Sequence, residues 1–257
     1  TAPDPLRCGH VQQERSSTVT ASRFIVIGRR FRGPPQSGNG GYVCGMLARA
    51  AGSLLTVRLM RPPPLERPLE IREDQENSRI LLMDGGEPVA SGRPGTCELD
   101  VPEAPSYAEA MAAARGYEGF REHAYPGCFV CGPERGRGDG MRIFASAIAG
   151  RDLCAAPWLP DASLAGADGK VLPEFMWAAL DCPGFFATGM ARLGPLLGEF
   201  TARIDRRVHV NEACVVIGWA TGHEGRKHHT GTAVFDDDGE PCARATATWI
   251  ELRGAGS

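Results

Sequence analysis

At 257 residues the chain is long enough for one large or two ordinary domains, and 42% hydrophobic with 23% charged residues is the balance of a protein that buries a core. A formal net charge of −3, with no long block of Lys or Arg, argues against nucleic acid or a membrane surface as partner. The longest early apolar run, residues 24–27, is too short for a signal core or a membrane span, so a cytoplasmic location is expected. The nine cysteines, an odd number in a chain this long, are expected to be mainly reduced and buried.

Residues 1–21 are polar and proline-marked and read as a lead-in; residues 22–31 alternate enough for a strand, followed by a loop over 33–38. Asn39 is a good N-cap for a helix over 41–51, which Gly52 ends. Gly40 and Gly41 weaken that helix, which suggests that another group approaches its backbone closely. Strands follow over 54–60 and 69–72, around an interruption at Pro62-Pro63-Pro64, and residues 78–83 and 88–99 form a hairpin about Asp84-Gly85-Gly86. A proline-marked connector over 101–106 and an Ala/Glu-rich helix over 107–115 mark the domain boundary; that helix could lie across the surface or cap a groove. Beyond Cys128-Phe129-Val130-Cys131-Gly132-Pro133 and a glycine-rich loop come strands over 141–149 and 153–158 and a loop over 161–169. Four strands with short turns close the chain, over 199–208, 213–220, 228–235 and 241–252.

Between these strand groups lies the stretch around which the chain is organised, a helix from Pro173 to Asp181 or Cys182. Proline suits its first position, and Pro183 should end it. Phe175, Met176, Trp177, Ala178, Ala179 and Leu180 leave no polar stripe, so the helix should be buried on most sides. Asp181 then falls in the last turn, where the helix dipole disfavours a negative charge by roughly 0.3–1 kcal/mol. A buried, poorly placed carboxylate is a candidate for chemistry, or it accepts bonds from nearby loop amides.

The chain also repeats itself. Gly86-Glu87-Pro88-Val89-Ala90 recurs as Gly239-Glu240-Pro241-Cys242-Ala243, Thr56-Val57-Arg58-Leu59 answers Thr201-Ala202-Arg203-Ile204, and the stretch from Gly40 to Ala48 answers that from Pro173 to Asp181. The matches keep their order, and their spacing grows along the chain, as loop insertions in the second copy would make it. Each half gives a strand region, a buried helix and a run of antiparallel strands, an α+β order.

This order, with the Gly40-Gly41 helix start, the Cys-Phe-Val-Cys-Gly-Pro segment and the duplicated Gly-Glu-Pro-x-Ala hairpin, resembles the hotdog-fold acyl-CoA thioesterase superfamily, in particular its PaaI-like branch. The resemblance spans about residues 22–100 and 125–252. It implies an α+β double hotdog: two antiparallel sheets, each wrapped around a central helix, paired as an internal pseudo-dimer. Residues 22–105 would form the N-terminal unit, 106–124 a linker with its helix, and 125–257 the C-terminal unit, and two such chains could pair as a homodimer. The implied substrate is an acyl-CoA or acyl-carrier-protein thioester, with no cofactor.

The family has His or Asn followed by Gly-Gly at the helix start, where a backbone amide holds the thioester carbonyl; Asn39-Gly40-Gly41 matches it. The branch places an acid nine residues after that His or Asn. In the first half that position is Ala48, while Asp181 keeps the acid in the second, with Leu172 in place of the Asn. The resemblance therefore implies one site, with Asp181, Asn39 and Gly41 catalytic, and a dead reciprocal site at Leu172 and Ala48. Gly40, Tyr42, Glu174, Trp177 and Thr188 complete the expected site as substrate-binding residues, although dipole preference alone gives Glu174 a structural role in the first turn of its helix. Fixed amides suit oxyanion stabilisation, worth about 3–4 kcal/mol per donor, and a desolvated carboxylate can act as nucleophile or base.

Cys128-x-x-Cys131, with His123 upstream, has only half of a zinc site's ligands, and Cys8 and His10 could contribute only by folding back, so no metal is expected. Arg226-Lys227-His228-His229 reads as a solvated turn, one edge of which could meet a phosphate of coenzyme A. Two other functions stand beside the hydrolase: a non-catalytic acyl-thioester binder, and a dehydratase or hydratase, which lacks its expected histidine here.

Overall fold

The structure is a computed structural model and describes residues 23–252. The lead-in expected over 1–21, with Cys8 and His10, lies outside them. None of the described helices is long and apolar enough to cross a membrane.

The first strand, β1 (Arg23–Val26), is shorter than expected, and the chain turns through a 3-10 helix at Arg29–Phe31. Helix α1 (Gly40–Ala51) starts and stops where its caps dictate: the Asn39 side chain accepts from Tyr42 N–H, and Gly52, at φ +66°, returns its N–H to the carbonyls of Ala48 and Arg49. Strands β2 (Leu55–Leu59), β3 (Pro68–Asp74), β4 (Arg79–Asp84) and β5 (Glu87–Pro94) follow. Helix α2 (Tyr107–Ala114) is opened by a capping box between Ser106 and Glu109. It lies on the outer face of the later strands, with Ala110 buried among Leu153, Ala155, Val215, Ile217 and Ala233.

Of the strand expected over 141–149 only β6 (Ser146–Ala147) forms. Arg142, at φ +58°, breaks the extended run, and Met141 N and Ile143 N bond instead to the carbonyls of Phe129 and Val130 in the cysteine loop. Next come β7 (Cys154–Trp158), α3 (Pro173–Ala179), α4 (Cys182–Ala187), β8 (Leu196–Ile204), β9 (Cys214–Glu224), β10 (Lys227–Phe235) and β11 (Pro241–Ile250).

The two expected sheets are one. Eleven strands run in the order β1-β3-β4-β5-β2-β8-β11-β10-β9-β7-β6, every pairing between named strands antiparallel, and β2 joins β8. Outward from that junction the first half reads β2, β5, β4, β3, β1 and the second β8, β11, β10, β9, β7, the same succession. Thr56 and Thr201, matched by the sequence repeat, stand opposite each other at the junction, and Thr201 Oγ1 donates to Thr56 Oγ1 at 2.8 Å. The sheet encloses two helices, α1 and α3, packed on each other. Phe175, Met176, Trp177, Ala178, Ala179 and Leu180 are all buried, as the missing polar stripe requires.

Pro183 kinks the helix rather than ending it. The chain leaves α3 at Leu180, passes Asp181 at ψ −71°, and starts α4 with Pro183 in its first turn, where a missing N–H costs nothing. The Leu180 carbonyl freed at the kink accepts from Thr232 Oγ1 at 2.8 Å.

Candidate active site

The kink delivers Asp181 to the beginning of α1. Its Oδ2 accepts from Asn39 Nδ2 at 2.7 Å and from Gly41 N–H at 2.9 Å, while Asn39 Oδ1 takes the Tyr42 N–H at 2.9 Å. Asn39 thus caps its helix with one end and holds the acid with the other. The close approach at Gly41 is real: a Cβ there would lie 2.6 Å from Asp181 Cβ and 2.8 Å from the Trp177 carbonyl oxygen. The expected dipole penalty on Asp181 is offset, because its carboxylate bonds at the amino end of α1.

Asp181 is 3% exposed, Asn39 likewise, and Asp181 Oδ1 has no hydrogen-bond partner among the described residues. Burial is the main reason its pKa is pushed from 3.8 to about 7; the Gly41 and Asn39 bonds oppose the rise and Cys128 adds to it. Asp181 and Asn39 line a cavity of about 460 Å³, otherwise largely apolar, which reaches the half-exposed Met60 and Leu252. That volume falls in the range of small-molecule sites, roughly 300–1,000 Å³. Gly40 lines it too, and its N–H, in the first turn of α1, donates to no group among the described residues.

Four expected substrate-binding residues lie outside the cavity lining. Tyr42 stacks on Phe31 and Phe175, and burial pushes its phenol up to about 12. Glu174 is buried against α1, where it pairs with Arg49, and Trp177 packs edge-on against Phe200. Thr188 caps α4, donating to the Phe185 carbonyl and accepting from Met190 N–H, and makes no bond to Asp181. At the reciprocal position Leu172 and Ala48 offer neither amide side chain nor acid. Three thiols also stand in the cavity wall: Cys128 and Cys131, which the sequence offers as half of a metal site, and Cys182, which it does not join to them.

An antiparallel sheet wrapped around buried helices is the hotdog architecture of α+β type. Two solved structures bear this out at the level of the fold. A hot dog fold protein of unknown function from Alicyclobacillus acidocaldarius superposes at a TM-score of 0.56 with 14% identity, covering 89% of this chain and 92% of the other. A candidate thioesterase from Novosphingobium aromaticivorans DSM 12444 gives the same TM-score, identity and coverage of this chain, and 94% of its own. A thioesterase superfamily protein matches at a TM-score of 0.43 with 18% identity over 50% of this chain, which spans 63% of its length. No family model matches the sequence, and no curated protein matches it.

Proposed function

We propose that the chain hydrolyses acyl thioesters of coenzyme A or an acyl-carrier protein, at one site shared between two hotdog units. The units are residues 22–105 and 125–257, linked by 106–124 and paired as an internal pseudo-dimer. The repeated strand order about β2 and β8, and Thr56 facing Thr201, support that pairing.

One observation carries the function: a buried carboxylate from the second half held on Asn39 and the amino end of α1 from the first, inside a largely apolar cavity. The acyl chain occupies the cavity, with the thioester carbonyl at the Gly40 N–H. Asp181 takes a proton from a water as that water attacks the carbonyl carbon, and the Gly40 N–H at the amino end of α1 stabilises the oxyanion. Collapse breaks the carbon–sulfur bond, and the departing thiolate takes the proton from Asp181, leaving carboxylic acid and thiol. Asn39 keeps the acid oriented throughout. With Leu172 and Ala48 at the reciprocal position, the chain has one site rather than two.

A second reading, a non-catalytic acyl-thioester binder, is favoured by one fact. Asp181 Oδ2 already occupies both the Asn39 amide and the Gly41 N–H. Incubation with a panel of acyl-CoA and acyl-carrier-protein thioesters, followed by the loss of thioester ultraviolet absorbance, separates the two. Hydrolysis of any member supports the enzyme, and saturable binding without turnover supports the binder.

A further inference from the structure

We propose that Cys128, Cys131 and Cys182 form a site for a thiophilic divalent cation, with Zn²⁺ the best match, in the cavity wall beside Asp181. The C-x-x-C pair lacks partners in the sequence, but the kink at Pro183 brings a third thiol, Cys182, beside it. The three sulfur atoms lie within 4.8 Å of one another, and all three residues are buried. Cys128 Sγ and Cys182 Sγ are 3.8 Å apart. A tetrahedral ion with metal–sulfur bonds of about 2.3 Å has sulfur–sulfur edges of about 3.8 Å. The ion therefore fits between these two sulfurs without their moving apart.

The surroundings suit thiolate ligands. Gly132 closes a tight turn after Cys131, where a Cβ would lie 2.4 Å from the Pro126 carbonyl oxygen and 2.5 Å from that of Cys128. His123 Nδ1 accepts from Tyr125 N–H at 2.8 Å, which fixes the neutral ring as the Nε2–H tautomer. That Nε2 lies 3.4 Å from Cys131 Sγ, so His123 donates to a ligand sulfur rather than binding the ion. The ion displaces the thiol protons and ties the cysteine loop to the kink that carries Asp181. All three cysteines line the cavity, so the fourth position faces it and takes water or a soft ligand such as a free thiol.

The test does not depend on hydrolysis. The full chain is prepared reduced, analysed for zinc, stripped, and titrated with Co²⁺. About one equivalent should bind with a sulfur-to-cobalt charge-transfer band, and zinc X-ray absorption on the parent should count three sulfur ligands. Cys182→Ser should weaken Co²⁺ binding by more than 100-fold, and His123→Phe, which removes no ligand, by about 10–100-fold. Cys44→Ser, at a buried cysteine outside the group, should leave binding unchanged. The proposal is overturned by the lack of a charge-transfer band, by fewer than three sulfur ligands, by parental affinity in folded Cys182→Ser, or by a Cys128–Cys182 disulfide in place of metal. Should Cys182→Ser fail to fold, the sulfur count on the parent decides.

Discussion

Gly41→Ala sets two effects against each other, and the structure says which wins. In an isolated helix the exchange would gain up to about 1 kcal/mol, because alanine loses less backbone freedom. Here the new Cβ would stand 2.6 Å from Asp181 Cβ, 2.8 Å from the Trp177 carbonyl oxygen and 3.1 Å from Asp181 Cγ. Carbon atoms rest at about 3.5–4.0 Å, so α1 and the end of α3 must part by roughly 1 Å. Overpacking of this kind costs about 1–3 kcal/mol, and α3 is buried on all sides and cannot swing away. The net expectation is a loss of about 1–2 kcal/mol in urea unfolding. The same displacement stretches the Asn39 and Gly41 bonds to Asp181, and a 1 Å misplacement at a reacting centre costs about 100-fold in rate. Gly86→Ala, where nothing lies within 4 Å of the added Cβ, is the control and should stay within about 0.5 kcal/mol of the parent. A Gly41→Ala protein as stable as the parent, with its Asp181 bonds intact, would refute the packing argument.

The pH dependence of stability follows from the same carboxylate. Its folded pKa, about 7, lies above the ordinary 3.8, so stability is fully present below about pH 4, falls as pH rises to about 7, and then levels. The span corresponds to a loss on the order of 4 kcal/mol, at about 1.36 kcal/mol per pH unit. Urea midpoints of the parent should therefore drop between pH 4 and 8 more than those of Asp181→Asn; equal drops would contradict the assignment. Glu174→Gln keeps a hydrogen-bonding partner for Arg49 and should change neither hydrolysis nor stability by more than about 1 kcal/mol, measured by thioester loss and urea unfolding. Thr188→Ala removes two local bonds at α4 and should lower stability by about 1 kcal/mol with hydrolysis unchanged; a selective loss of rate would restore it to the site.

What was legible in the sequence was local or repeated. Asn39 and Gly52 set the ends of α1 because caps are a matter of a few neighbouring residues, and the duplicated motifs matched Thr56 with Thr201 as equivalent positions, which the fold sets opposite each other. The pairing of Asn39 with Asp181 came from the resemblance, since no local rule links residues so far apart. What was not legible depends on distant partners. Pro183 is equally compatible with a stop and with a restart, and the restart is secured by Thr232, which takes the orphaned Leu180 carbonyl. A helix apolar on every side gives no sign of which residues face a cavity, and Glu174 and Trp177 lie outside its lining. Residues 141–149 carry a strand-like pattern, but the Met141 and Ile143 amides are claimed by the cysteine loop. The thiol group was hidden for the same reason as the kink: Cys182 reaches Cys128 only after the chain turns at Pro183.

The most direct measurement compares parent and Asp181→Asn on the same acyl-CoA panel, reading thioester loss, ligand binding and thermal unfolding together. Asn can still accept the Asn39 and Gly41 bonds but cannot take a proton from water. The account predicts that kcat falls by at least 100-fold, the scale of a general base, while binding persists and the unfolding temperature does not drop. Hydrolysis by Asp181→Asn at the parental rate would contradict it.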